Sequence, residues 1–157
     1  MIAAGIDCGA KNTKTIILKN GEIAGRAMVP TGFDLPKAVA DSFAMALADA
    51  GISRDEIQRI GGTGAGIDAI SMADEKVNDI QAKSKGAHFF FSNVRTVTDV
   101  GAEEGRAAKI DENGNPIDFV INEKCAAGAG AFIEAMARAL EVAIEEMGPL
   151  SLMSDKK

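Results

Sequence analysis

The stretch Gly5-Ile6-Asp7-Cys8-Gly9-Ala10 ends the first apolar run of the chain, and the β-branched segment Thr13–Leu18 follows it. An Asn-Gly pair, Asn20-Gly21, then precedes a third extended segment, Glu22–Val29. Because Asn-Gly is a preferred two-residue turn of a β-hairpin, this order predicts three antiparallel strands. The Asp-x-Gly turn lies between the first two of these strands.

A second copy of this pattern lies further along the chain. Asp99-Val100-Gly101-Ala102 closes the alternating segment Val94–Val100, and an Asn-Gly pair recurs at Asn113-Gly114. The two Asp-x-Gly-Ala tetrads are 92 positions apart, and the two Asn-Gly pairs are 93 positions apart. The repeat predicts a duplicated module whose two aspartates converge on one ligand.

Both turns have the composition of a phosphate site. Glycine lets the backbone approach a ligand closely, and successive backbone N–H groups bind anions. A carboxylate can hold Mg²⁺, which takes one or two carboxylates and keeps several waters. The chain lacks the G-x-x-x-x-G-K-[ST] pattern, which excludes a P-loop protein. The repeat therefore predicts a clamp for a phosphate chain and its metal, as phosphoryl transfer requires.

The remaining segments predict an α/β fold. A long helix should begin after Asp34 and end at Gly51. The glycine-rich run Gly61–Gly66 fits either a phosphate nest that opens a helix or a tight turn against the cleft. A last amphipathic helix should begin near Ala131 and continue until Gly148-Pro149 breaks it.

Composition excludes several classes of protein. The 157 residues include 17 Lys and Arg against 23 Asp and Glu, a formal net charge of −6, which argues against a nucleic-acid partner. No apolar run approaches the ~20 residues of a membrane span, and the N-terminus lacks a signal-peptide pattern. The two cysteines form no CxxC pair. We therefore expect a cytoplasmic protein with no membrane partner.

Three segments carry a resemblance to a known family. Gly5–Ala10 with Lys14, and Thr98–Ala102, resemble the two phosphate motifs of the actin, hexokinase and heat-shock-chaperone ATPase superfamily. Asn122–Phe132, which reads Asn-Glu-Lys-Cys-Ala-Ala-Gly-Ala-Gly-Ala-Phe, is similar to the cysteine motif of one branch. That branch is the BadF/BadG/BcrA/BcrD family, the ATPases of benzoyl-CoA reductases and the activators of 2-hydroxyacyl-CoA dehydratases. The likeness runs from about Ile2 to Met147.

The resemblance implies a fold and a domain organisation. It predicts one ribonuclease-H-like, actin-like ATPase module at 1–93. The first half of a second such module follows at 94–157, with the cysteine loop and a helix. The family's second ligand cysteine and its adenosine-binding motif are absent from the chain. We therefore expect this chain to be part of a longer polypeptide.

The resemblance also implies an activity. Such proteins bind ATP and hold one [4Fe–4S] cluster between two homologous subunits, alike or unlike. ATP hydrolysis drives a low-potential electron to a partner that reduces or dehydrates an acyl-CoA, and a donor such as ferredoxin supplies that electron. The segment Asp99–Ala107 looks nearer to the benzoyl-CoA reductase subunits than to the dehydratase activators.

Site residues follow from the same resemblance. Asp7 and Asp99 would bind Mg²⁺ and orient the attacking water, as the catalytic residues. Cys125 would be a ligand of the iron–sulfur cluster, and its position just before a predicted helix suits a thiolate. The phosphates would lie against backbone amides, with one lysine nearby; these residues are Gly9, Ala10, Lys11, Gly101, Ala102 and Lys14.

Some features depart from the family pattern and leave alternatives open. A four-iron cluster needs four thiolates, and Cys8 stands where the family has a core aliphatic residue. Lys11 replaces a small hydroxyl residue that is common in the first phosphate loop. One alternative is a sugar or small-molecule kinase of the same superfamily, without iron. Another is a non-catalytic nucleotide-sensing fragment.

Overall fold

The computed structural model describes residues 1–102, 104–122 and 130–155. The chain divides into two compact units, Met1–Lys83 and Ser84–Lys157. Each unit contains a β-sheet with at least one helix, so the predicted α/β class is confirmed. The predicted module boundary after residue 93 stays a prediction, as does the assignment of each module.

The first unit is built on a five-stranded sheet with the strand order β3-β2-β1-β4-β5. The first three strands are antiparallel, as the Asn-Gly turn predicts, whereas β4 and β5 extend the sheet in parallel. Asn20 and Gly21 have φ of 55° and 87°, as in the type I′ turn that this dipeptide favours. The strands are β1 Ile2–Cys8, β2 Asn12–Lys19, β3 Glu22–Pro30, β4 Arg59–Thr63 and β5 Glu75–Lys76.

Helix α1, Leu35–Ala50, covers one face of this sheet and closes the core. Its caps are those expected from the sequence. The Asp34 carboxylate accepts the Lys37 N–H at 3.0 Å, and Gly51 adopts the left-handed conformation with φ 64°. The apolar side chains of α1 pack against the buried side chains of β1, β2 and β4; this core includes Val39, Phe43, Ile6, Ile17 and Ile60.

The boundary between the units falls within helix α2, Asp79–Phe90. The sequence predicts a short helix at 77–85, and the observed helix begins two residues later and continues five residues further. The sequence also predicts a short helix at 67–72, and the structure has a single 3-10 turn there, at Ile67–Ala69. Among the described residues, no helix combines the length and the apolar character needed to cross a membrane.

The second unit contains a three-stranded antiparallel sheet in the order β6-β7-β8. Five residues, 111–115, connect β7 to β8, and Gly114 has φ 75° in this turn. The strands are β6 Thr96–Val100, β7 Gly105–Ile110 and β8 Pro116–Asn122, and the helices are α3 Gly130–Ala139 and α4 Met147–Leu152.

The end of α3 corrects the sequence prediction that Gly148-Pro149 stops this helix. The chain leaves α3 at Glu141, which has φ 55°; its N–H donates to Arg138 O, and the Val142 N–H donates to Ala137 O. These two bonds form a Schellman motif, which satisfies the last carbonyls of the helix. Pro149 instead lies in the first turn of α4, where its missing N–H costs no helical bond.

Candidate functional site

The first Asp-x-Gly turn places a carboxylate beside a lysine. Asp7 is the penultimate residue of β1, and the antiparallel register sets it opposite Lys14 of β2. Lys14 Nζ lies 3.0 Å from Asp7 Oδ2, and neither side chain is buried. The two groups therefore form an accessible ion pair at the end of the central strand.

Gly9 shapes the turn that joins β1 to β2. Its N–H donates to Asn12 O at 3.2 Å, which closes a four-residue turn with Ala10 and Lys11 exposed at its tip. A Cβ on Gly9 would lie 2.8 Å from that same oxygen, so a larger residue would force the turn open. The tight turn between β1 and β2 therefore requires glycine at this position.

The glycine-rich run packs against this carboxylate. Gly64 has φ 96°, and a Cβ there would lie 2.4 Å from Asp7 Oδ1 and 2.5 Å from Cys8 O. The Gly66 N–H donates to Cys8 O at 2.8 Å. Of the two interpretations of Gly61–Gly66, this geometry favours the tight turn, because the 3-10 turn that follows is too short to act as an anion-binding helix.

The second Asp-x-Gly turn repeats this geometry. The register of β6 and β7 sets Asp99 opposite Arg106, with 3.9 Å between Asp99 Oδ2 and Arg106 Nη1. The Gly101 N–H donates to Glu104 O at 2.8 Å and closes an equivalent turn. Arg106 also pairs with the Glu104 carboxylate. The aspartate, the turn glycine, the turn acceptor and the basic partner thus all recur 92 positions later.

Helix α3 begins against the second turn. The N–H of Gly130 donates to Gly101 O at 2.8 Å, and the N–H of Ala131 donates to Ala102 O at 3.1 Å. The first N–H groups of a helix have no partner within the helix, so these bonds satisfy two of them. Gly101 and Ala102 are therefore held by the start of α3, which begins within the last residues of the cysteine motif.

The structure accounts for the predicted site residues in part. Within the first unit it brings Asp7, Gly9 and Lys14 together, and within the second it brings Asp99 and Gly101 beside Arg106. That the two aspartates share one ligand stays a prediction. Cys125 lies outside the described residues.

Metal binding has a limited basis among the residues that the structure describes. They contain no cluster of three or more His, Cys, Asp or Glu side chains suited to a metal ion. Mg²⁺ does not require such a cluster, because it takes one or two carboxylates and retains waters. The carboxylates of Asp7 and Asp99 have the oxygen donors it prefers. Cys8 is a free thiol with no exposed surface, which excludes it as a ligand to a cluster shared with another subunit.

Sequence reasoning missed two features next to the first turn. Thr63, opposite Asp7 in the β1–β4 register, has a buried hydroxyl with no hydrogen-bond partner among the described residues. Thr31 donates its hydroxyl to Gly9 O at 2.7 Å. The sequence held a signal for the hydrogen bonds of Thr31. Along β2, Thr13 and Thr15 alternate with exposed residues, which places their hydroxyl groups on the buried face of the sheet. A buried hydroxyl needs a partner.

The family model for the BadF/BadG/BcrA/BcrD ATPase family matches residues 4–157. This chain belongs to that family. It is 35% identical over 153 residues to the activator of lactoyl-CoA dehydratase from Anaerotignum propionicum, and 30% identical over 159 residues to a benzoyl-CoA reductase component from Thauera aromatica. These matches cover 96% and 98% of this chain but only 58% and 56% of the two relatives.

Solved structures of dehydratase activators have the same fold as this chain. Component A of the (R)-2-hydroxyglutaryl-CoA dehydratase from Acidaminococcus fermentans superposes with a TM-score of 0.91 at 32% identity, over 100% of this chain and 61% of that one. The ADPNP-bound activator of the 2-hydroxyisocaproyl-CoA dehydratase from Clostridium difficile has a TM-score of 0.87 at 31% identity, over 100% and 59%. A hexokinase from Thermus thermophilus, at 13% identity and a TM-score of 0.60, shares the fold alone. The actin-like and hexokinase-like fold is therefore confirmed.

Proposed function

We propose that this chain carries the first phosphate-binding half of an ATPase that activates an acyl-CoA-reducing or acyl-CoA-dehydrating enzyme. In this proposal ATP hydrolysis drives a low-potential electron through a [4Fe–4S] cluster that bridges two homologous subunits. A donor such as ferredoxin would supply the electron. The chain spans less than two thirds of the length of these relatives, so the proposed ATPase and electron-transfer activity is that of the whole protein.

The observation that supports nucleotide binding is the repeated turn. Each glycine turn is flanked by an ion pair between an aspartate and a basic residue, and the two turns have the same geometry. The pairs are Asp7–Lys14 and Asp99–Arg106. In each turn a Cβ on the glycine would crowd the turn's own acceptor carbonyl, at 2.8 Å for Gly9 and 3.3 Å for Gly101, so glycine keeps the turn tight. Successive backbone N–H groups in such a turn bind anions. An ADPNP-bound relative superposes over the whole chain, which supports ATP as the nucleotide.

Each part of the two turns has a role in this proposal. The amides of Gly9, Ala10 and Lys11, with those of Gly101 and Ala102, would hold the phosphates. Asp7 and Asp99 would hold Mg²⁺, which neutralises phosphate charge when bound. The two carboxylates would also orient the attacking water. Lys14 contacts the Asp7 carboxylate from the neighbouring strand and would add a positive charge beside the phosphates.

The iron–sulfur part of the proposal rests on the cysteine motif. Cys125 would supply a thiolate ligand, and the family to which the chain belongs supports this assignment. Cys8, the cysteine that lies within the described residues, is buried. The remaining ligands would come from the second subunit and from the region of the full-length protein that corresponds to the part of the relatives outside the match.

For the partner enzyme, we favour a benzoyl-CoA reductase. This preference rests on the sequence of the segment Asp99–Ala107, which looks nearer to the benzoyl-CoA reductase subunits than to the dehydratase activators. A 2-hydroxyacyl-CoA dehydratase is the other candidate, because relatives of both kinds match the chain. An activation assay with benzoyl-CoA and a 2-hydroxyacyl-CoA, each with its own reductase or dehydratase, would separate them.

The decisive experiment uses the full-length protein prepared without oxygen. We expect ATP hydrolysis and bound iron in the unmodified protein. Asp7→Asn and Asp99→Asn should lower hydrolysis by roughly a hundredfold and leave the iron in place. Cys125→Ala should remove the iron but leave ATP binding intact. Cys8→Ala is the matched control, because it removes a buried thiol and should change neither.

Three outcomes would contradict the proposal. A protein without iron that transfers phosphate to an added sugar would be a kinase of the same superfamily. A protein that binds ATP without hydrolysing it would have a sensing role. If the two aspartate variants and the Cys125 variant all match the unmodified protein, the site residues themselves are wrongly assigned.

A further inference from the structure

A chain of buried hydroxyl groups ends on the first turn. Thr31, which follows β3, donates its hydroxyl to Gly9 O at 2.7 Å, and its Oγ1 lies 2.9 Å from Thr13 Oγ1. The exposed fraction is 5% for Thr31 and 0% for Thr13. Thr13 Oγ1 also lies 3.7 Å from the buried Cys8 Sγ. Water does not reach this group, so its hydrogen bonds are internal to the protein.

The direction of these hydrogen bonds follows from the donors available. A backbone carbonyl only accepts, so the single hydroxyl hydrogen of Thr31 is given to Gly9 O. The 2.9 Å contact between the two threonines then takes the single hydroxyl hydrogen of Thr13, in preference to the longer 3.7 Å contact with Cys8 Sγ. Thr31 therefore acts as donor to the turn and as acceptor from β2, and its hydroxyl has one orientation.

Thr31 holds the turn at two carbonyl groups. Besides the hydroxyl bond to Gly9 O, its backbone N–H donates to Lys11 O at 2.9 Å. The peptide unit is planar and trans, so the N–H of Ala10 points away from the Gly9 carbonyl in the same plane. Fixing Gly9 O toward Thr31 thus fixes the Ala10 N–H toward the opposite, exposed side of the turn.

We infer that Thr31 is a positioning residue for nucleotide binding: its hydroxyl orients the Gly9–Ala10 peptide so that the Ala10 amide is presented to a phosphate. The inference rests on the proposed function, in which this amide contacts ATP. It adds a residue that never touches the nucleotide. Its role comes from the hydroxyl alone, because the backbone N–H bond to Lys11 survives any substitution except proline.

The test compares ATP affinity in variants of the full-length protein. Thr31→Val keeps the shape but removes the donor, and we expect about tenfold weaker ATP binding, since one internal hydrogen bond is lost. Thr31→Ser keeps the donor and should bind ATP as the unmodified protein does. In ATP hydrolysis, Thr31→Val should raise KM more than it lowers kcat.

Thr15→Val is the matched control for stability. Thr15 and Ser42 form another buried hydroxyl pair, 2.7 Å apart, between β2 and α1 and away from the turn. Thr15→Val should lower Tm about as much as Thr31→Val does, but it should leave ATP affinity unchanged. If Thr31→Val does not fold, Thr13→Val removes the donor to Thr31 and should weaken ATP binding by a smaller factor.

The outcomes separate the two hypotheses. If the unmodified protein binds ATP and Thr31→Val binds it equally well, the positioning role is wrong and the proposed function stands. Equal weakening in Thr31→Val and Thr15→Val would also overturn it, because the effect would then follow stability. If the unmodified protein does not bind ATP, the proposed function fails, and the positioning role fails with it.

Discussion

Asp7 and Lys14 face each other across β1 and β2, seven residues apart in sequence and 3.0 Å apart between Oδ2 and Nζ. Asp99 and Arg106 have the same sequence separation and the same antiparallel register in the second unit. An acidic residue and a basic residue are thus placed at the same points of two equivalent hairpins. The Asp-x-Gly repeat in the sequence therefore corresponds to two hairpins that have the same strand register.

Lys14→Met should weaken ATP binding without a large loss of stability. The Asp7–Lys14 pair is accessible to solvent, and such pairs contribute about 0–1 kcal/mol to the free energy of unfolding. The charge beside the proposed phosphate site is lost, so ATP affinity should fall severalfold. The measurements are calorimetric ATP binding and Tm. Lys76→Met, which breaks the exposed pair with Asp68, is the control and should leave ATP affinity unchanged.

Gly64→Ala should destabilise the first unit and displace the Asp7 carboxylate. The new Cβ would lie within 2.5 Å of Asp7 Oδ1 and Cys8 O, on a backbone with φ 96°. Left-handed strain and overpacking together should cost roughly 2–4 kcal/mol. Gly61→Ala is the control, because no atom lies within 4 Å of the added Cβ. Equal urea midpoints for the two variants would contradict this geometry.

Glu141→Gly should stabilise the second unit. Glu141 adopts φ 55° at the end of α3, a conformation that costs a residue with a side chain about 1–2 kcal/mol. Part of that gain is offset by the greater freedom of glycine in the unfolded chain, so we expect a net increase of roughly 0.5 kcal/mol. Arg138→Gly, in the last helical turn, should instead lower stability. A thermal melt of each variant decides the sign.

The Asp111 turn should show a pH-dependent contribution to stability. Hydrogen bonds from the Asn115 side chain and backbone, with that of the Asn113 N–H, hold the pKa of Asp111 below its ordinary value of 3.8. A lowered pKa in the folded state means that this contribution is present at neutral pH and is lost as pH falls through the folded pKa. Asp111→Ala should therefore lower Tm at pH 7, and the difference should shrink below pH 4. A difference in Tm that stays constant down to pH 3 would contradict this.

Local signals in the sequence predicted the first unit well. Asp34 and Gly51 mark the ends of α1, and Asn20-Gly21 marks the first hairpin, because each acts on backbone groups within a few residues. The end of α3 could not be predicted in this way. No glycine marks it, and Glu141 takes the left-handed conformation that glycine usually supplies.

The proximity of Asp7, Gly9 and Lys14 could be predicted from the sequence, but the hydrogen bond that holds their turn could not. Asp7, Gly9 and Lys14 are close in sequence, so the motif placed them together. The bond from Thr31 to Gly9 joins residues 22 positions apart, and it depends on the register of β2 and β3. That Asp7 and Asp99 share one ligand stays a prediction, because the two residues belong to different units and no local sequence pattern specifies how such units pack.

The bonds from Gly130 and Ala131 to the second turn have a mechanical consequence. Through them, the Asp99 turn and the first residues of α3 form one hydrogen-bonded body. Cys125 precedes Gly130 by only five residues in the sequence. A displacement of the turn must either break two hydrogen bonds or carry the start of α3 with it. The backbone of the second turn and the first residues of α3 therefore cannot move independently.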